Sequence, residues 1–172
     1  MACSQTLAGL SHDCSPSMGG IVAAYIANFA DVTAKTLTSG VITAFTMASG
    51  KYFYKYTFPR NVGSLSSNYT IDETTGANFV VSDLVLAFTK MDTTKRVEIA
   101  ALAQSELVVV VEDANGTKWL LGYDAPVKAS AGDGLTGTAR ADRNGYSITL
   151  QDNSLALPYE VSADMDALLP SV

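Results

Sequence analysis

The segment ELVVVVEDANGTKWLLGY, residues 106–123, constrains the fold of this chain more than any other. Four consecutive valines precede an Asn-Gly pair, and a Trp-Leu-Leu run follows it. Asn-Gly between two apolar runs predicts a β-hairpin, because both residues tolerate the positive φ of a type I′ turn. This hairpin is apolar on both faces, and both faces need a cover. We therefore expect Trp119, Val109 and Val111 to lie in the core or in an interface.

Most other apolar runs are also of strand type. They are bounded by glycine, proline or polar residues and comprise residues 19–32, 40–50, 51–58 and 79–89. Aromatic residues alternate along KYFYKYTF, and the following Pro59 should end that strand or hold it at a sheet edge. A second pair, Asn144-Gly145, predicts another hairpin. Short strands with frequent turns predict a mainly β protein, an antiparallel β-sandwich or barrel.

One segment has a helical period. In MDTTKRVEIAALAQSE, apolar residues recur at spacings of three and four over about residues 92–104. Asp92 or Thr93 can cap the first turn by accepting a hydrogen bond from a free backbone N–H group. Because the apolar face is broad, we expect this single flanking helix to lie on a sheet.

Residues 60–78, RNVGSLSSNYTIDETTGAN, are polar, long and rich in turn-forming residues. They fit either an extended hairpin or an unusually long loop, and loops of this length in compact domains are usually functional or disordered. Four isolated apolar residues, Val62, Leu65, Tyr69 and Ile71, would be poorly covered in a lone subunit. We hypothesise that this segment contacts another subunit, and the alternative is a hairpin folded back on its own domain.

The length of 172 residues predicts a single domain, residues 1–172. We expect residues 1–18 to form an N-terminal arm and residues 163–172 a C-terminal arm. The net charge of −6 and the lack of Lys/Arg runs argue against nucleic-acid binding through phosphates. The sequence has no apolar stretch of membrane-spanning length and no secretion signal at its N-terminus, so no membrane partner is expected.

The titratable residues near the N-terminus do not make a complete site. His12 is the single histidine, so any Ser-His-Asp or Cys-His site would have to use it. Cys3, His12 and Cys14 lack a fourth ligand and do not have a standard zinc spacing. Two reduced cysteines are favoured over a bridge, because the chain carries no secretion signal.

The acidic residues offer alternatives of the same kind. Asp133 and Asp142 lie in a Gly- and Asp-rich segment that suggests a loose cation site but is better explained by tight turns. Asp72, Glu73 and Asp83 suggest the paired carboxylates of a glycosidase, but nothing in the sequence pairs them. We therefore expect that the protein is not an enzyme and requires no metal or cofactor.

The order of these segments resembles tail tube and related virion proteins of long-tailed bacteriophages, particularly phages of gut Bacteroidetes-type hosts. The resemblance covers about residues 14–162. It rests on GGIVAAYIANFADV, the aromatic KYFYKYTF strand and a polar excursion, followed by the helix, the NGTKWLLGYD hairpin and the DRNGYSIT hairpin. A neck, connector or tail-terminator ring protein would look similar.

This resemblance implies a β-sandwich or barrel with one helix, of which six copies form a ring. Rings stack into a tube, and neighbouring sheets merge into a barrel whose lumen passes genomic DNA without specific binding. Neighbours would cover the part of the 106–123 hairpin that the opposing sheet and the helix leave bare, and residues 60–78 would contact the next ring. The partners would be further copies and other tail proteins, and the location the virion tail, after synthesis in the host bacterial cytoplasm.

Two functions of other classes also fit the sequence. A hydroxyl-rich surface with Tyr52, Tyr54 and Trp119 suits a β-sandwich carbohydrate-binding or adhesion module. A small hydrolase that uses Asp or Glu pairs ranks last.

Overall fold

The computed structural model describes residues 7–12, 14–59 and 62–171. Within these residues the protein is mainly β, with two sheets and a single α-helix, which confirms the expected sandwich with one flanking helix. The strands are β1 Ile21–Asn28, β2 Val32–Thr38, β3 Val41–Met47, β4 Tyr54–Thr57, β5 Ser64–Asp72, β6 Ala77–Thr89, β7 Leu107–Asp113, β8 Lys118–Leu121, β9 Lys128–Leu135, β10 Gly145–Ser154 and β11 Tyr159–Val161. The helix is α1, Thr93–Gln104, and two 3₁₀ turns span Phe29–Asp31 and Asp166–Leu168.

The larger sheet has seven strands in the order β2-β3-β11-β8-β7-β1-β4, and the smaller has four in the order β5-β6-β10-β9. All strand pairs are antiparallel except one. The short strand β11 pairs parallel to β3, with Val161 opposite Ile42. The expected antiparallel sandwich therefore carries one parallel pair, where the C-terminal part of the chain returns between β3 and β8.

Strand β7 lies near the middle of the larger sheet, and Val108–Val111 are fully buried. Val109 and Val111 face the smaller sheet and pack in one cluster with Leu84 and Leu150. The alternate residues of β7, on the opposite face, pack in a second cluster. Two of the expected core residues, Val109 and Val111, are thus core within this chain.

The second cluster covers the other face of β7 with residues from distant parts of the chain. Phe53 lies just before β4 and Met165 lies after β11, and both are almost completely buried. The ring of Phe53 contacts that of Phe45 edge-on, with a centroid distance of 5.4 Å. The expectation that neighbouring subunits cover this face was wrong, because the chain itself supplies the cover.

Part of the predicted C-terminal arm, residues 163–172, packs on its own subunit. Ala163 and Met165 are buried, and the Phe53 backbone N–H donates to the Leu168 carbonyl over 3.0 Å. The described N-terminal residues, 7–12 and 14–20, are exposed and lie outside the strands and the helix. In the described part of the chain, no helix has the length and apolar character needed to cross a membrane.

Strand β4 is shorter than its alternating sequence suggests. Only Tyr54–Thr57 pair with β1, and the strand forms one edge of the larger sheet. Phe58 and then Pro59 follow the strand, and Pro59 lacks the N–H group that a longer ladder would need. Phe53 precedes the strand, and its ring packs in the second cluster, on the face that the alternation gives it.

Helix α1 begins where it was predicted to begin. Asp92 caps it, since its Oδ1 accepts from the Lys95 backbone N–H over 2.8 Å. The expected broad buried face is wrong, because Leu102 is the one buried residue of the helix and Val97 is exposed. The apolar character comes largely from alanines, which gain little from burial. Leu102, with Ile99 partly buried beside it, anchors the helix on the core.

The two Asn-Gly pairs behave differently. Gly116 has φ +85°, but Asn115 does not have a positive φ, so the expected type I′ turn is wrong. The Asp113 carboxylate instead accepts from the backbone N–H groups of Asn115 and Thr117, at 2.8 and 3.0 Å. Asp113 thereby holds a type I turn followed by a left-handed glycine, the three-residue hairpin loop.

Asn144-Gly145 is not a two-residue turn. Residues 136–144 connect β9 to β10, and Gly145 already belongs to β10, opposite Thr89. A Cβ on Gly145 would collide with the Phe88 carbonyl, so this glycine permits close strand approach. Asn144 ties the loop to the start of α1, because its side-chain oxygen accepts from the Met91 backbone N–H over 3.1 Å.

Candidate assembly surfaces

Residues 62–78, the described part of the segment 60–78, belong to a hairpin whose first strand, β5, forms one edge of the smaller sheet. Nine residues of β5 pair with β6 without a register shift, from Ser64 opposite Val85 to Asp72 opposite Ala77. No charged residue and no proline occur between Ser64 and Ile71. Proteins usually protect edge strands with charges, prolines or bulges. Strand β5 is a long edge without any of these devices.

Strand β9 forms the opposite edge of the same sheet. Its sequence, KASAGDGL, consists mainly of small residues, and its pairing with β10 contains one irregularity near Thr149. Each strand of this sheet runs antiparallel to its neighbour, so β5 and β9 run in opposite directions. A β9 strand placed beside β5 would therefore form an antiparallel pair.

The outer face of the smaller sheet, away from the core, is largely polar, although the register also places Val81 and Val85 of β6 on it. Side chains alternate between the two faces of a strand, and the register places Ser66, Asp83 and Gln151 side by side on this face. The Gln151 amide donates to the Asp83 carboxylate over 2.8 Å. Further along the face, the Arg143 guanidinium donates to Asp133 over 2.9 Å. The face thus presents hydroxyls, amides and partly neutralised acids.

The tip of the β5–β6 hairpin extends beyond the rest of its sheet. Strand β10 pairs with β6 only as far as Val80, so residues 77–79 pair with β5 alone. At this end Tyr69 is 55% exposed and Ile71 is 67% exposed. Leu65 is partly buried and packs on the core, and Val62 is partly buried. Two of the four apolar residues singled out in the sequence thus lie uncovered near the tip.

A cleft of about 260 Å³ opens between β5 and β8 at one end of the sandwich. Met18, Leu65 and Trp119 contribute apolar surface to it. Trp119 is partly exposed, and its indole N–H donates to the Asp113 carboxylate over 3.3 Å. A second cleft beside it is lined by Leu65, Trp119 and Leu157. Trp119, predicted as core or interface, therefore lies at an apolar opening in the surface.

An apolar groove of about 230 Å³ lies between α1 and the aromatic residues Tyr56 and Phe88. The Tyr56 hydroxyl donates to the Glu98 carboxylate, which ties β4 to the helix. Burial, and then the bond to this carboxylate, raise the pKa of Tyr56 well above its usual range. The groove lies where the helix packs on the sheet and is not a polar site.

The acidic residues considered for chemistry are spread over the surface. Asp72 lies at the hairpin tip and Asp83 lies six residues along β6 from Ala77, so strand geometry separates them by about 20 Å. That exceeds the spacing of roughly 5–9.5 Å between glycosidase carboxylates. The Asp142 carboxylate accepts from the backbone N–H groups of Thr138 and Ala139, at 2.8 and 2.7 Å. Asp142 thus serves a turn.

His12 and Cys14 are exposed residues of the N-terminal arm, and Cys3 lies outside the described residues, as does any pairing it makes. Among the residues described, no group of three or more His, Cys, Asp or Glu side chains is placed to hold a metal. The aromatic residues of the carbohydrate-binding alternative also lie apart. Tyr54 is on β4 and Trp119 is on β8, with β7 and β1 between these strands.

Asp152 is a buried polar residue that no sequence pattern indicated. Its side chain is 2% exposed, and one carboxylate oxygen accepts from the Gly122 backbone N–H over 3.0 Å. Lys35 lies nearby and donates to the carbonyls of Gly122 and Tyr123, at 2.6 and 3.1 Å. Burial is the main cause that raises the pKa of Asp152 and lowers that of Lys35. This site exists because the register of β10 places Asp152 beneath the turn that follows β8.

Comparisons with known proteins give no relative from which a function could be transferred. No protein-family model, no curated protein and no solved structure matches the chain.

Proposed function

We propose that this protein is a structural virion protein that assembles into stacked rings and forms the tail tube of a bacteriophage, the conduit for genome ejection. The observation that carries the proposal is the pair of open edges, β5 and β9, on one sheet. A neck, connector or tail-terminator ring protein would use the same edges, and tube formation separates these possibilities.

Pairing β5 of one subunit with β9 of the next is a head-to-tail contact. Such contacts close into rings when the rotation between subunits allows it, and closure pairs both open edges of the smaller sheet. Each subunit would contribute the four strands of the smaller sheet. Six subunits would give a barrel of about 24 strands, and about 16–18 strands already leave an aqueous channel.

The polar outer face of the smaller sheet would then line the lumen. It carries Asp83 and Asp133, which are bonded to Gln151 and Arg143. The chain as a whole is acidic, with a net charge of −6. A wall of hydroxyls, amides and hydrogen-bonded acids lacks the clustered cations that bind phosphates, so it lets DNA slide without holding it.

The projecting β5–β6 tip would contact the next ring. Tyr69 and Ile71 are the exposed apolar residues of this tip, and stacking would remove them from water. Residues 60–78 would then contact another subunit, as hypothesised from the sequence. The contact would be made by a preformed hairpin rather than by a loop that orders on assembly.

Two proline variants test the edge contact. Successive residues of an edge strand direct their N–H groups alternately toward the neighbouring strand and away from it. Asn68 and Tyr69 are adjacent on β5 and both exposed. One of Asn68→Pro and Tyr69→Pro therefore removes an N–H that faces β6 and destabilises the subunit. The other removes an outward N–H and should leave the melting temperature of the unassembled subunit nearly unchanged.

The proline variant that keeps its melting temperature tests the edge contact, and the other proline variant is the matched control. We expect it to remain monomeric in analytical ultracentrifugation at concentrations where the natural sequence forms rings. Rings of normal size from both variants would refute the β5 contact. Rings without tubes from the natural sequence would favour the neck or terminator alternative.

A further inference from the structure

We propose that the N-terminal arm of each subunit docks on its neighbour, with Leu7 and Leu10 inserted into the Trp119 cleft between β5 and β8. The proposal deepens the assembly proposed above and rests on it. The arm of one subunit would fill the cleft of the next. The pairing of β5 with β9 uses neither the arm nor the cleft.

The arm carries apolar side chains that its own subunit does not cover. Leu7 is 92% exposed and Leu10 is 105% exposed. Both belong to residues 7–12, which lie outside the strands and the helix. Two leucines in a short exposed segment gain free energy wherever an apolar surface covers them.

The cleft offers such a surface. Leu65 and Trp119 line both of the adjoining openings, the one of about 260 Å³ and the one of about 250 Å³ beside it. Met18 and Ile21 add apolar atoms to the first opening, and Leu157 adds them to the second. The indole N–H of Trp119 is already bonded to Asp113, so the ring can present its apolar surface to a ligand.

The way the arm leaves the fold favours a neighbouring cleft over its own. Met18 is held at the mouth of the cleft, because its backbone N–H and carbonyl both bond to the Asn115 side chain, at 2.8 and 2.9 Å. In the single subunit the arm does not fill its own cleft, since Leu7 and Leu10 are exposed, and to enter it the arm would have to turn back between Leu10 and Met18. An extended chain from Met18 to Leu10 instead spans up to about 26–29 Å, which reaches a subunit alongside.

Trp119 is the single tryptophan of the chain, so its fluorescence reports the cleft directly. On assembly of the natural sequence, we expect its emission to move to shorter wavelength and its quenching by acrylamide to fall severalfold. The double variant Leu7→Asp/Leu10→Asp should lose both changes. Ala8→Asp/Ser11→Asp adds the same charge to the same arm and should keep them.

A synthetic peptide of residues 1–17 tests the same contact without assembly. It contains no tryptophan, so any signal comes from the subunit. Added under reducing conditions to the monomeric β5 proline variant, it should shift Trp119 emission, whereas the peptide with both leucines replaced by Asp should not. No shift with the natural peptide would overturn the inference.

Two further outcomes are distinguishable. If the monomer already shows protected Trp119 emission that deletion of residues 1–17 abolishes, the arm fills its own cleft and the inference is wrong. If rings form while Trp119 stays equally quenchable, the arm docks elsewhere, and the inference fails while the ring proposal stands. Failure of the natural sequence to form rings at any concentration would overturn the proposed function itself.

Discussion

The hydroxyl groups of Ser67 and Ser82 give a sharp test of whether β5 is docked in the single subunit. They lie opposite each other on the inner face of β5 and β6, with 2.8 Å between their oxygens. Ser82 is fully buried, whereas Ser67 is only partly buried. The two ends of one hydrogen bond therefore have different access to water.

This asymmetry predicts unequal costs. Ser67→Ala strands a buried hydroxyl on Ser82 and should lower the free energy of unfolding by about 1–3 kcal/mol. Ser82→Ala leaves a hydroxyl that water can reach, so we expect about 0.5–1.5 kcal/mol. The double variant strands nothing, and replacing both partners by apolar groups is nearly neutral. It should be more stable than Ser67→Ala alone.

The assay is urea unfolding of the unassembled subunit, followed by circular dichroism. Equal and additive losses from the two single variants would refute the asymmetry. No loss from any variant would show that β5 is not docked in solution, and residues 60–78 would then be the mobile loop considered from the sequence.

Three more predictions follow from other parts of the structure. Replacing residues 71–78 by Asn-Gly should leave the subunit folded and able to form single rings, but electron microscopy should find no tubes; tubes of normal length would remove the tip from the stacking contact. Burial raises the pKa of Asp152 above 3.8, so the folded state binds this proton more tightly and stability falls as pH rises from about 4. Asp152→Asn should abolish that fall in thermal melts, and an unchanged pH dependence would contradict it. Gly122→Ala should destabilise more than Gly116→Ala in urea unfolding: both glycines have φ +85°, but only at Gly122 would a Cβ crowd the Leu107 carbonyl, at 3.1 Å; equal losses would refute the crowding.

Local signals predicted the elements whose partners are close in sequence. Asp92 and the alternation of three and four located α1, and Asn115-Gly116 located the β7–β8 hairpin. The turn type was wrong because the Asp113 side chain, which the Asn-Gly pattern ignores, supplies the hydrogen bonds.

Non-local packing explains most of what the sequence could not predict. Phe53 packs in one cluster with Met165, over a hundred residues later, and its backbone N–H bonds to the Leu168 carbonyl. Asn144-Gly145 suggested a turn, but Gly145 is needed for close approach to β6. Both depend on which strands lie side by side, which no local pattern encodes.

Of the candidate surfaces, the sequence indicated some, and only the fold shows the others. Tyr69 and Ile71 were singled out as isolated apolar residues in a polar segment, and they are exposed in the structure. The edge position of β5, the cleft at Trp119 and the buried Asp152 follow from sheet order and register. A single sequence does not contain that information in local form.

Negative-stain electron microscopy of the purified natural sequence at rising concentration shows whether the protein forms rings and tubes. We predict rings with an open centre that stack into tubes of uniform diameter, while the β5 proline variant with unchanged melting temperature stays dispersed as single subunits. Particles of single-subunit size at every concentration, confirmed by a monomer mass in analytical ultracentrifugation, would contradict the account.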